Sequence, residues 1–300
     1  MSAFISHSSE DNAKTAELEK RLEAGGLDVW TDLSDMHAGG LVDAELLAKI
    51  QAADLVLLLW SKAAQASSWV FAEWLVAFHE GKLVVPCVLD ETELPQCLRN
   101  AAFIDLHWEW DRIVAQLLRT AQDAPHQRTR VVVPARGSRP PEASDVIREV
   151  NARQFEVLRA LTSHDIARAR ETQDSLDSKV MDMLRRWPHD TLAITLVGYH
   201  YKNAYQIKYH DSIQAGVRPP DSFLEQAERC FFQALSIDPE DHAALNGMGN
   251  YRWFLCEFEA AEFFTVKAIQ YAEMARADAS FYRHDLVLIK NDLAKQAARG

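Results

Sequence analysis

The hydrophobic positions of this chain follow two different periods, and the change between them falls near residue 123. In the first part, short apolar runs alternate with segments whose apolar residues recur at helical spacing. The longest run, Leu55-Val56-Leu57-Leu58-Leu59-Trp60, is typical of a strand buried on both faces of a parallel sheet. Strands are predicted at 3–6, 28–30, 55–60, 83–89 and 103–106. This alternation predicts an α/β fold with a doubly wound, five-stranded parallel sheet.

The second part of the chain has helical periodicity only. Residues 123–143 are rich in proline, glycine and arginine, which is typical of an exposed linker. Farther on, Ala227 and Ala234 recur 34 residues later as Ala261 and Ala268, and this pattern resembles a tetratricopeptide repeat. Two or three imperfect repeats are expected. The predicted organisation is an α/β domain at 1–122, a linker at 123–143 and an all-α, tetratricopeptide-like domain at 144–300.

Charge narrows the function classes that the first part can serve. Residues 1–122 contain 19 Asp and Glu against 9 Lys and Arg, so this part carries −10 of the formal net charge of −12. Nucleic acids and anionic membranes present phosphates, which need Lys and Arg to neutralise them. We therefore expect neither a nucleic-acid partner nor a membrane partner.

Cysteine usage and hydropathy indicate a location. The four cysteines, among 300 residues, form no C-x-x-C pair, which argues against a disulfide scaffold and for a reduced compartment. No apolar run approaches the roughly 20 residues of a membrane-spanning helix. Because the first strand begins by Ala3, no room remains for a signal peptide. The expected location is the cytoplasm.

One carboxylate, Glu73, lies alone in the aromatic and aliphatic run from Trp69 to Phe78. On a helix Trp69, four residues earlier, shares its face. A lone acid beside an aromatic wall can be desolvated and become chemically useful. Periodicity alone favours a different interpretation: Glu73 and Glu80 are seven residues apart, as on the solvated face of an amphipathic helix. As a separate alternative, Trp69 could be an ordinary core residue.

Five segments, taken in order, resemble the TIR (Toll/interleukin-1 receptor) domain family. They are Phe4-Ile5-Ser6-His7-Ser8, Trp30-Thr31-Asp32 followed by Gly39, Asp54 to Ser61, Ser67-Ser68-Trp69-x-x-x-Glu73, and Val85-Pro86-Cys87-Val88-Leu89. The resemblance covers about two-fifths of the chain and implies the flavodoxin-like TIR fold. Enzymatic bacterial members cleave the nicotinamide–ribose bond of NAD, and their essential glutamate lies in the Trp-x-x-x-Glu segment. By this resemblance, Glu73 is the catalytic residue.

The resemblance also implies further contacts and a mode of regulation. Trp69 would wall the pocket, while Ser8, Ser9 and His37 would contact NAD from the loops after the first and second strands. NAD is then the substrate of an NAD glycohydrolase or ADP-ribose cyclase, and no cofactor is needed. No metal is expected, because the histidines at 200 and 210 lack ligand partners at regular spacing. Self-association through the TIR-like domain, including the loop at 31–42, would activate the enzyme in bacterial defence signalling, under control of the helical domain.

Other functions fit parts of the same pattern. A non-catalytic adaptor would bind other TIR domains, and its repeats would hold a protein or peptide partner. His37 stands where active relatives often have an acid, and Leu41 where a bulky aromatic is common, which slightly favours the adaptor. Ser8, Ser9 and Asp11 could instead cap the first helix. A nucleoside deoxyribosyltransferase, which has a related fold and a glutamate, is a more distant alternative.

Overall fold

The chain forms two compact units, Met1–Val132 and Val133–Gly300, in a computed structural model. The structure describes residues 1–31, 44–129, 131 and 140–298. The predictions made for His37, Leu41 and most of the loop at 31–42 lie outside these residues.

The first unit is built on a parallel sheet. Its strands are β1 Ser2–Ser6, β2 Asp28–Thr31, β3 Leu55–Trp60, β4 Leu83–Val88 and β5 Ile104–Asp105. Their order is β2-β1-β3-β4-β5, and every neighbouring pair is parallel. The predicted five-stranded, doubly wound sheet is therefore confirmed, and the bounds of β3 coincide with its apolar run. Because β1 lies between β2 and β3, the winding direction reverses at β1, where such folds bind ligands at the carboxyl ends of the strands.

Helices cover both faces of this sheet. They are α1 Asn12–Ala24, α2 Ala44–Ala52, α3 Lys62–Ala66, α4 Ser68–His79 and α5 Trp110–Asp123. Helices α1 and α5 enclose a core with the inward residues of β1, β3 and β4, Ile5 and Leu57 among them. Helices α2 and α4 contact each other and the opposite face. Side chains alternate along a strand, so Ser6, which follows Ile5, points toward α4.

The segment after α5 stays attached to the sheet. The Oγ1 of Thr129 accepts a hydrogen bond from the backbone N–H of Val84 at 2.6 Å and donates one to the carbonyl of Lys82 at 3.0 Å. The first unit therefore continues past residue 122 and includes residues 124–129. The domain limits at 122 and 143 stay a prediction.

The second unit is all-helical, as predicted. Between residues 140 and 298 its helices are α6 Pro141–Thr162, α7 Ile166–Asp174, α8 Asp177–Arg186, α9 Thr191–Lys208, α10 His210–Gln214, α11 Ser222–Ile237, α12 His242–Phe254, α13 Phe258–Met274 and α14 Ser280–Ala297. The largest contacts join α9 to α11 and α12 to α13.

A single aromatic ring sets the spacing of three of these helices. Phe231 of α11 is fully buried, and its ring lies against Gly198 of α9 and Gly247 of α12. A Cβ atom would come within 2.6 Å of the ring at Gly198 and within 2.3 Å at Gly247. Real Cβ atoms do not approach this closely, so the ring position requires glycine on both sides.

A buried ion cluster joins α11 to α12. The guanidinium of Arg252 in α12 is fully buried and contacts Glu228 of α11 at 3.3 Å and Glu257 at 3.1 Å. Both carboxylates are themselves at most 10% exposed. Removing one member of a buried ion cluster is strongly destabilising, because the opposite charge that balanced the others is lost.

Candidate active site

Helix α4 places Glu73, the acid within the apolar run from Trp69 to Phe78, in the interior of the first unit. Ser67 begins this helix, since its Oγ accepts a hydrogen bond from the N–H of Val70 at 3.2 Å. Gly81, with a positive φ of 70°, follows its end. Residues 70–77 are all buried, because the helix packs against β1, β3 and β4. Glu73 is 1% exposed, so the interpretation as a solvated helix face is wrong for this residue.

Two hydrogen bonds orient the Glu73 carboxylate. The Ser6 hydroxyl donates to Oε2 at 2.6 Å, and the Trp69 indole N–H donates to Oε1 at 2.7 Å. Trp69 is only half-buried, so it is not an ordinary core residue. Burial disfavours an ionised carboxyl group, whereas donors aimed at its oxygens favour it. The pair of donors therefore holds a carboxylate in a fixed orientation where water has little access.

Ser6 is a residue that the sequence did not identify as part of the site. It is the last residue of β1, and it is fully buried at the reversal point of the sheet. Its hydrogen bond to Glu73 spans 67 positions of sequence. A polar residue at the end of an otherwise apolar strand is the signal that could have found it, because the carboxyl ends of parallel strands form the ligand edge.

More polar groups line the same edge of the sheet. The Ser61 hydroxyl, directly after β3, donates to the Asp11 carboxylate at 2.6 Å and accepts from the N–H of Ala64 at 3.0 Å. His7 Nε2 lies 2.8 Å from the Asn12 side-chain oxygen. These contacts fix the turn after β1 against the start of α3. They place several hydrogen-bonding groups beyond the ends of the two central strands.

The other residues proposed to contact NAD lie in different settings. Ser8 is buried and caps the 3-10 turn Ser9–Asp11, since its Oγ accepts from the N–H of Glu10 at 3.4 Å. Ser9 is exposed on that turn. Ser8 therefore caps this short turn and not α1, whose N-cap position is held by Asp11 without a side-chain hydrogen bond. Contact of Ser8 and Ser9 with NAD stays a prediction, as does any role of His37, which lies outside the described residues.

Other reactive groups of the first unit are held in ordinary structural roles. Burial raises the pKa of the Cys87 thiol in β4 to about 12, so it is not a nucleophile at neutral pH. A hydrogen bond from Thr92 lowers the pKa of Asp90, which also accepts from the N–H of Lys62 at 2.9 Å. Within the described ranges, no group of three or more His, Cys, Asp or Glu is placed to hold a metal ion.

Comparison with known proteins identifies the first unit. Residues 3–118 match the family model described as TIR domain. The chain therefore carries a TIR domain, and Ser6, Trp69 and Glu73 all lie inside the matched segment. No curated protein and no solved structure matches the sequence. Among the helices that the structure describes, none has both the length and the apolar character needed to cross a membrane.

Proposed function

We propose that the first unit is an NAD glycohydrolase that cleaves the nicotinamide–ribose bond, with Glu73 as its catalytic carboxylate. One observation carries the proposal. Glu73 is buried beside the reversal point of a TIR domain sheet, and Ser6 and Trp69 each donate a hydrogen bond to it. Buried carboxylates with dedicated donors in a ligand-binding edge are characteristic of functional sites.

The chemistry needs only one carboxylate. Most glycosidases use a second acid to protonate the leaving group. In NAD the nicotinamide ring is already cationic, so when its bond to the ribose breaks, the bonding electron pair neutralises the ring nitrogen. The ribose is left as an oxocarbenium cation. An oriented carboxylate stabilises this developing charge more than it stabilises the substrate, which lowers the barrier.

The product depends on what captures the cation. Addition of water and loss of one proton give ADP-ribose, whereas attack by an adenine nitrogen of the same molecule gives cyclic ADP-ribose. Both outcomes use the same Glu73 step. The half-buried Trp69 ring would pack beside the ribose and exclude bulk water from it. Glycohydrolase and cyclase activity are therefore two results of one proposed site.

Release of nicotinamide from NAD tests the catalytic role. We expect purified wild-type protein to release nicotinamide and Glu73→Gln to lose nearly all activity. Glu80→Gln is the matched control. Glu80 directly follows the same helix, is half-buried and accepts a hydrogen bond from Gln51. Equal rates for wild type and Glu73→Gln would reject the catalytic assignment. A concentration series is part of the test, since activation by self-association predicts specific activity that rises with protein concentration.

The second unit is proposed to regulate this activity, in bacterial defence signalling, by binding a protein or peptide partner on tetratricopeptide-like repeats. The packing of α9 with α11 and of α12 with α13 supports a repeat of helix pairs. So does the close approach of helices at Gly198 and Gly247, because small residues at such positions let paired helices pack tightly.

A non-catalytic adaptor is the second candidate, and the burial of Glu73 favours it. A carboxylate that is 1% exposed and bonded to Ser6 also ties α4 to β1, which is a purely structural task. An adaptor would neither bind nor consume NAD. Calorimetric titration with NAD separates the two candidates: saturable heat that Glu73→Gln weakens supports the enzyme, and no heat together with no turnover at any protein concentration supports the adaptor.

A further inference from the structure

A cavity of about 480 Å³ lies within the second unit. It is lined by side chains of α6, α9, α12 and α14 and of the residues beside them. This volume is in the range of pockets that hold small organic ligands. Its walls carry both charge and apolar surface, and several polar atoms of the residues that line it have no hydrogen-bond partner among the residues that the structure describes.

The first charged group is a buried lysine. Lys202 of α9 is 3% exposed, and in the part of the chain that the structure describes its ammonium makes no hydrogen bond and no ion pair. The Nζ atom lies 5.3 Å from the centroid of the Tyr199 ring. Burial lowers the pKa of Lys202 to about 8, and Asp285 opposes this shift. The side chain is therefore a cation at neutral pH.

The second charged group is Asp285 of α14. Its Oδ2 accepts hydrogen bonds from the side-chain amides of Asn246 and Asn250 at 3.1 and 2.9 Å. Its Oδ1 lies 3.8 Å from Nδ1 of His284, which is too far for a hydrogen bond. Asp285 is near enough to affect the pKa of Lys202, yet the two form no ion pair. The cavity thus presents an ammonium and a carboxylate that are close but do not touch. A second carboxylate of the lining, Asp278, accepts hydrogen bonds from the N–H and the hydroxyl of Ser280.

Neutral polar groups of the cavity are also unsatisfied. Both the oxygen and the nitrogen of the Asn203 amide are buried without a hydrogen-bond partner among the described residues, and so is the side-chain oxygen of Asn246. Asn203 is fully buried and Asn246 is 4% exposed. Native proteins pair almost all such atoms. Burying Lys202 without an ion pair and Asn203 without a hydrogen bond to its amide costs stability. This cost favours a role for the cavity in binding a ligand.

Part of the remaining wall is apolar. The rings of Phe155 and Phe281 pack against each other with centroids 4.9 Å apart, and Leu158 and Leu196 extend this surface. Phe281 is 49% exposed and so lies toward solvent. A ligand that fills the cavity would therefore place an apolar group here and its charged groups at Lys202 and Asp285.

We propose that this cavity binds a small zwitterion, an α-amino acid with an apolar side chain. Its carboxylate would pair with the Lys202 ammonium, and its ammonium would donate to the Asp285 carboxylate. Two opposite charges separated by one carbon match two opposite charges of the cavity that do not touch each other. The site is independent of the NAD chemistry proposed for the first unit.

Titration of the full chain with phenylalanine, leucine and methionine tests the proposal, with ligand-observed NMR and calorimetry as readouts. Phenylalaninamide lacks the carboxylate and N-acetylphenylalanine lacks the ammonium. We expect saturable binding of at least one free amino acid, and binding weaker by about tenfold or more for each of its two derivatives, since each loses a charged hydrogen bond. An N-acetyl derivative that binds as tightly as the free amino acid would overturn the zwitterion and point to a chain-end carboxylate.

Variants separate a binding role from a structural one. Lys202→Met should lose amino-acid binding by about tenfold or more, while its thermal unfolding temperature stays equal or rises, because an unpaired buried charge is removed. Asp285→Asn should weaken binding of the free amino acid. Lys208→Met, on the same helix but exposed, is the control and should bind as the wild type does. Unchanged affinity in Lys202→Met, or no binding of any of the three amino acids at millimolar concentration, would reject the proposal.

Discussion

Replacement of Trp69 by phenylalanine removes one donor from the Glu73 carboxylate and keeps most of the aromatic wall. The lost hydrogen bond is 2.7 Å long and its acceptor is 1% exposed, so water has little access to replace it. A hydrogen bond to a charged group contributes about 1.5–3 kcal/mol. We expect Trp69→Phe to lower the free energy of unfolding by about 2 kcal/mol. If the same bond orients the carboxylate in the transition state, kcat should fall about 10- to 100-fold with a smaller change in KM.

A double-mutant cycle isolates this hydrogen bond. Trp69→Phe is measured by urea unfolding and by nicotinamide release, alone and together with Glu73→Gln. A neutral amide accepts a weaker bond, so in the Glu73→Gln background the change should cost about 1 kcal/mol less.

The same helix offers a matched control. Trp74 is fully buried, and its indole nitrogen has no hydrogen-bond partner among the described residues. Trp74→Phe therefore removes the same atoms without cutting a hydrogen bond, and it should show no coupling to Glu73. Equal destabilisation by Trp69→Phe in both Glu73 backgrounds, or equal coupling for Trp74→Phe, would refute this reasoning.

Three further changes test the second unit. The pKa of Lys202 is about 8 in the folded state against an ordinary value of 10.5, so above pH 8 the unfolded chain binds more protons. Between pH 8 and 10.5, Lys202 alone should then add roughly 1 kcal/mol per pH unit to the free energy of unfolding. The measurement is the difference between wild type and Lys202→Met in pH-dependent denaturation, and parallel pH profiles of the two proteins would disprove it. Gly247→Ala places a Cβ atom 2.3 Å from the Phe231 ring; it should cost about 1–2 kcal/mol in thermal unfolding despite the better helix propensity of alanine, and a stabilised variant would contradict the packing. Arg252→Met removes the guanidinium that bridges two buried glutamates and should cost about 3–5 kcal/mol in urea unfolding, whereas a loss below about 1 kcal/mol would show that the cluster is solvated.

The sequence predicted those features that depend on neighbouring residues. The bounds of β3 follow from six consecutive apolar residues, which already identify a strand buried on both faces. The shared face of Trp69 and Glu73 follows from helical geometry alone. Neither inference needs any knowledge of the tertiary fold.

What the sequence did not predict depends on residues that are far apart along the chain. Periodicity placed Glu73 on a solvated face, because a local pattern contains no information about its hydrogen-bond partner Ser6, which lies 67 positions earlier in the sequence. No sequence pattern distinguishes Lys202 from a solvated lysine, since lysines are almost never buried. Its setting arises only where four separate helices enclose one cavity. Burial of a polar group against its usual tendency is a tertiary property, and here it marks both candidate sites.

The position of Phe231 between Gly198 and Gly247 also determines which helices of the second unit unfold together. No one of the helices α9, α11 and α12 can move away without exposing this ring and opening the space that the glycines leave for it. The three should therefore open as one cooperative unit, and their slowest-exchanging amide protons should report one shared opening free energy. Helix α14, which buries only Ile289 among its described residues, lacks such a link and should exchange before these three.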